Sequence, residues 1–167
     1  MKERLTIFMA ALMILSILAA PAAAGTSRTE YGGYEYFEGE IGGGRMWFSD
    51  EGVLLIRDLQ EAYRDEVDDP RLSGDVVVTI NANFQFTELG EMYGPMWGTS
   101  IMENDGGYWE ASWVGKRTEE GYSYIRCVMH GHGDYEGLKA RADYVRESPD
   151  PNDPFTVHGV LMDPGGK

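Results

Sequence analysis

Beyond residue 24, apolar and polar side chains alternate in short runs separated by glycines. The clearest run covers 76–86. Val76, Val78, Ile80, Ala82, Phe84 and Phe86 fall on one face, and Val77, Thr79, Asn81, Asn83 and Gln85 fall on the other. Successive side chains of a strand point to opposite faces, so this period of two predicts a strand with one face in a core and one in water. Further strands are predicted over 34–41, 122–130, 138–145 and 155–162. Residues 96–102 and 108–116 read as the two arms of a hairpin around Asn104-Asp105-Gly106-Gly107, because these residues tolerate positive φ. In the second arm Trp109, Ala111 and Trp113 share a face.

Residues 53–67 read two ways. Ile56, Leu59, Tyr63 and Val67 have helical spacing behind a cap at Ser49 or Asp50. As a strand, the same segment carries Leu55, Leu59 and Tyr63 on one side. Local propensity favours the helix. Either way, seven or eight strands around one core predict an all-β fold. The expected form is a single antiparallel β-barrel of about eight strands, since closure removes exposed sheet edges. The interior of such a barrel is either filled or holds one small ligand.

The first 24 residues break this pattern. Met1-Lys2-Glu3-Arg4 is net positive, 5–20 is apolar or small apart from Thr6 and Ser16, and Pro21 precedes Ala22-Ala23-Ala24. These are the three parts of a secretory signal peptide, an N-terminal helix removed on export. The expected organisation is a signal peptide over 1–24 and a β-barrel domain over 25–167. An uncleaved anchor is the competing reading, and it is the only route to a membrane that the sequence offers. In both cases the domain is secreted or otherwise extracytoplasmic, at the cell exterior or in the periplasm.

Charge removes one class of function. The chain carries 28 acidic and 14 basic residues, a net charge of −14, and beyond residue 24 the balance is 27 to 12. Nucleic-acid binding needs clustered Lys and Arg, so it is discarded. Only four lysines occur, which with the acidity suits a salty medium. Cys127 is the single cysteine, so no intramolecular disulfide can form, and the thiol is expected to be buried.

Candidate chemistry is sparse. Phe84, Trp97, Trp109 and Trp113 could line a pocket for a small apolar ligand, or could simply fill the core. His130-x-His132 with Glu136 has the donor types of a transition-metal site and matches the His-x-His-x3-Glu core of the cupin motif, with His158 as a further ligand. Parity opposes it: Ile125, Cys127 and Met129 take the core face, so His130 points outward. The preferred reading is a glycine-rich turn with exposed histidines and no metal. Asp150, Asn152 and Asp153 form an oxygen-rich cluster that could hold Ca²⁺, but Pro149, Pro151 and Pro154 make the segment a rigid turn first. Glu35, Glu38, Glu40, Glu103, Glu110, Asp68 and Asp69 are numerous enough that some pair lies close, and spacing does not single one out. No cofactor is implied, and an oligomer is left open.

The order Trp97-Gly98-Thr99, Gly106-Gly107-Tyr108-Trp109-Glu110, Trp113-Val114-Gly115-Lys116 and the run from His130 to Lys139 (HGHGDYEGLK) resembles bacterial and archaeal proteins with an allene oxide cyclase-like barrel. These share a calycin-type fold with plant allene oxide cyclases and dirigent proteins. The resemblance covers 69–164 and rests on turns and tryptophans. It implies an eight-stranded antiparallel barrel, favours a strand over 53–67, and transfers no active site. The leading functional expectation is an exported, non-enzymatic barrel that binds a small apolar ligand or serves a surface role. The alternative is a lyase or isomerase acting on a lipid-derived or phenolic substrate inside the barrel. The second alternative is the metal site at His130 and His132. A hollow interior with an ionisable residue favours the enzyme, one lined only by aromatics favours binding, and a filled one favours structure.

Overall fold

The computed structural model describes residues 25–165, so the predicted signal segment at 1–24 lies outside the described residues. Nine strands follow: β1 (Ser27–Gly42), β2 (Arg45–Phe48), β3 (Leu54–Val67), β4 (Gly74–Phe86), β5 (Met92–Asn104), β6 (Gly107–Arg117), β7 (Ser123–Gly133), β8 (Lys139–Arg146) and β9 (Phe155–Asp163). Eight of them form a closed antiparallel ring in the order β1-β9-β8-β7-β6-β5-β4-β3, with β3 returning to β1. The predicted all-β barrel is the observed fold. Closure is possible because β1 is long enough to serve two neighbours. Residues 27–35 pair with β9, and residues 33–42 pair with β3. β2 lies beyond the ring and pairs only with residues 54–57 of β3.

The ambiguous segment is a strand, and the helix that propensity favours does not form. The helical spacing has a local cause. A bulge between Ile56 and Leu59 puts Asp58 at φ 57°, in the left-handed region, and shifts the inward set by one position. Ile56 and Leu59 therefore both face the interior, and Leu55 is turned to the outer face. The Arg57 guanidinium fixes the bulge by donating to the carbonyl oxygens of Ile56 (2.6 Å) and Ala82 (2.8 Å).

One end of the barrel is closed. The chain between β3 and β4 makes a 3-10 turn, Pro70–Leu72, capped by Asp69, whose carboxylate accepts from the Arg71 amide at 3.1 Å. This turn drives Leu72, 1 % exposed, into the end of the barrel beside Trp109. The Trp109 indole donates to the Arg71 carbonyl (2.7 Å) and stacks on Tyr135 at 5.4 Å between centroids. The Tyr135 hydroxyl donates to Asn104 Oδ1 (2.6 Å), and Asn104 Nδ2 donates to the carbonyls of Arg71 and Ser73. Burying the indole with its polar atom satisfied keeps the whole apolar gain, so this end is sealed by packing and hydrogen bonds together.

Two glycines on the inner wall make room for large aromatics. A Cβ on Gly159 would run into the Tyr31 ring, and one on Gly98 would lie 2.8 Å from the Trp113 ring. The opposite end is different. Strand Phe84–Phe86 runs out past the ring, so Phe86, which alternation places on the core face, is 40 % exposed. All four residues of β2 are exposed.

Candidate functional site

The barrel is hollow between its closed end and its mouth. The cavity has a volume of about 370 Å³, within the range of small-molecule sites. One wall is apolar, built from Ile56, Ile80, Phe84, Met96, Met102 and Trp113. The other carries a polar row that register alone creates. Asp65 on β3 pairs with Glu35 on β1, and Glu35 pairs with Phe155 on β9. The Arg146 guanidinium on β8 sits 4.6 Å above the Phe155 ring, Arg146 pairs with Ser123 on β7, and Ser123 pairs with Arg117 on β6. Six adjacent strands thus present one continuous row in which every member except Phe155 is polar.

Burial governs the chemistry of this row. Glu35 is 8 % exposed and makes no side-chain hydrogen bond among the described residues. Loss of solvent, followed by repulsion from Asp65, holds its carboxyl well above the usual range, and Arg146 opposes the rise. Asp65 is 4 % exposed, and burial pushes it up to about 7 even though the Tyr144 hydroxyl donates to its Oδ2 at 3.2 Å. Its Oδ1 has no partner among the described residues. Nearby, burial also raises Glu61, whose Oε2 accepts from the Tyr63 hydroxyl at 2.6 Å. Cys127 is buried, as expected; loss of solvent holds its thiol up to about 12, so it stays protonated and unreactive. Burial lowers Arg146, and the neighbouring Arg117 adds to that effect.

The residues singled out in the sequence fare unequally. Phe84, Trp109 and Trp113 line the cavity. Trp97 does not, and its expected place in the pocket is corrected. It pairs with Asn81 and Val114 on the outer wall, whereas Met96, Ser100 and Met102 take the inner face of β5. Outside, the Arg57 guanidinium lies 5.1 Å from the Trp97 ring and 5.8 Å from Trp47, a cation between two indoles. Of the seven carboxylates named from the sequence, Glu35 and Glu40 line the cavity. Glu38 instead pairs with Arg64 (3.1 Å), and Asp68 accepts from the Gly32 amide.

His130 and His132 lie on the outer wall, as parity predicts. His132 stacks on Tyr108 (4.6 Å) with Nε2 3.3 Å from Glu110 and Nδ1 3.7 Å from Glu136. His158 is far around the wall, paired with Gly32 and Asp143. No group of three or more His, Cys, Asp or Glu among the described residues could share an ion. In the 150–153 turn, Asp150 Oδ1 accepts from the Asn152 amide (2.9 Å) and side chain (3.0 Å), and Ser148 bonds Asp153. Those oxygens serve the turn itself.

Sequence reasoning did not single out Asp65, Glu61, Tyr144, Arg117 or Arg146 for the cavity. The available signal was parity. Once 53–67 is a strand, the inward placement of Tyr63 carries Glu61 and Asp65 with it. No family model matches the chain, and no curated protein or solved structure matches it.

Proposed function

We propose that this barrel is an enzyme of the proton-transfer kind, a lyase or isomerase acting on a small and largely apolar substrate held in the cavity. The observation that carries the reading is the buried Glu35–Asp65 pair facing the apolar wall of the cavity. Two carboxyl groups whose environments hold them above the ordinary range give one proton donor and one acceptor near neutral pH. The Tyr144 hydroxyl orients the acceptor. The hollow interior agrees with a calycin-type, allene oxide cyclase-like barrel, and export by residues 1–24 would place the reaction outside the cytoplasm.

A second reading is a carrier that binds an apolar ligand without chemistry, which the apolar wall favours. Base-promoted ring opening of nitrobenzisoxazole separates the two, because this small apolar probe requires only an ionised base in a dry pocket. The expected rate rises with pH through about 7 as Asp65 ionises, and D65N lowers it by on the order of a hundredfold or more. A wild-type rate equal to that of an E35Q/D65N double variant which still binds apolar probes makes the protein a carrier.

A further inference from the structure

The polar row has a second half that the proton chemistry does not use. Arg117 closes β6 and Arg146 closes β8, both at the mouth end of the cavity and both in its lining. They flank Ser123, their shared register partner. Arg146 is only 7 % exposed, yet neither arginine forms an ion pair among the described residues. Their fixed partners are neutral carbonyls. Arg146 Nη1 donates to Pro151 O at 2.9 Å, and Arg117 Nη2 donates to Pro149 O at 3.3 Å. The Nε donors of both are buried and unpaired.

A buried cation without a counter-ion is costly, and two side by side are costlier, so the arrangement calls for an anion. Glu61 and Asp153 act on Arg146 only from beyond ion-pair distance, and their closest hydrogen bonds go to Tyr63 and Ser148 instead. Burial disfavours the ionised forms of Glu35 and Asp65, and neither forms an ion pair with the arginines. Inside the cavity of an acidic protein, two guanidinium groups therefore stand side by side with no carboxylate within ion-pair distance among the described residues.

We propose that Arg117 and Arg146 form an anion subsite at the mouth of the cavity, which takes the carboxylate of a ligand whose remaining body is apolar. A planar carboxylate suits guanidinium forks, and the apolar body would lie against the Phe84 and Met96 wall. The inference rests on the cavity being the ligand site, as in the reading above, but it does not require the proton transfer.

The test is equilibrium binding, followed by quenching of tryptophan fluorescence, of naphthoate and of its neutral isostere naphthamide. Wild-type protein is expected to bind naphthoate at least about tenfold more tightly, the worth of a charge-assisted hydrogen bond. In R117M/R146M the two ligands are expected to bind within about twofold of each other, while naphthamide still binds and so reports an intact cavity. R117K/R146K keeps the charge without the fork and should retain part of the preference. The E35Q/D65N variant removes negative charge from the cavity and should keep the preference or increase it. Equal binding of both ligands to wild-type protein, which needs no variant, overturns the proposal, and so does a preference that survives R117M/R146M. Loss of the benzisoxazole reaction with the anion preference intact would instead leave a carrier of organic anions.

Discussion

At the closed end of the barrel Trp109 is 1 % exposed, its indole hydrogen is bound, and Leu72 plugs the centre. At the mouth Phe48 is 62 % exposed and Leu89 is 92 % exposed, and β2 has a partner on only one side. Both ends are made of the same kind of strand, and both carry large apolar residues. The difference is that one end removes them from water and the other leaves them around an opening. Stability is concentrated where a turn folds inward over the barrel. The mouth gives up that gain, and the polar row and the hollow interior lie on its side of the plug. Sites that bind and release ligands draw on the less stable parts of a fold, and the proposed use of the cavity would place its ligand on that side.

The comparison can be broken most directly at Trp109. Trp109→Ala is expected to cost about 3–5 kcal/mol in denaturant unfolding, from the lost burial, the cavity and the lost indole hydrogen bond to Arg71. A cost no larger than that of a mouth substitution would mean that the end is not sealed by this residue.

The polar row lies between the two ends, and its signature is pH dependence. Asp65 has a folded value of about 7, above the value of 3.8 it starts from, so the folded state holds the proton more tightly. The contribution of Asp65 is therefore full below about 4 and is lost as pH rises through about 7. The fall is expected to reach a few kcal/mol, and Asp65→Asn should flatten it in chemical denaturation across that window. A curve of the same slope in the variant would assign the dependence to Glu35 or Glu61.

A smaller effect is expected where the inner wall is tight. Gly159→Ala would force its new methyl against the Tyr31 ring, at a cost of about 1–3 kcal/mol in the same assay. Smallest of all is Phe48→Ala on β2. Its side chain is already in water and tilts against Phe86 at 6.0 Å, so the change should stay within about 0.5 kcal/mol. A loss of several kcal/mol there would show that the mouth is as firmly built as the plug.

Much of this was legible in the residues. Alternation over 76–86 and the Asp105-Gly106 turn gave β4 and the β5–β6 hairpin directly, because side-chain period and turn chemistry are local. β3 was obscured because its bulge joins two strand segments out of phase, and their combined apolar spacing imitates a helix. Trp97 was misplaced because the inward set of β5, Met96, Gly98, Ser100 and Met102, is barely apolar, so alternation there says little about which face is inside. Phe84, Trp109 and Trp113 were found because their neighbours alternate strongly.

The candidate site shows where sequence stops. By itself the chain determined that it would form many antiparallel strands and that no disulfide within it would hold them. These depend on neighbours a few residues apart or on totals. It did not determine that Glu35 and Asp65, two acids among 28, would meet inside. That was decided by the closure of β1 onto β3 and by a register that differs by one residue between facing in and facing out. Burial then altered what these groups can do, and burial exists only once the ring is closed.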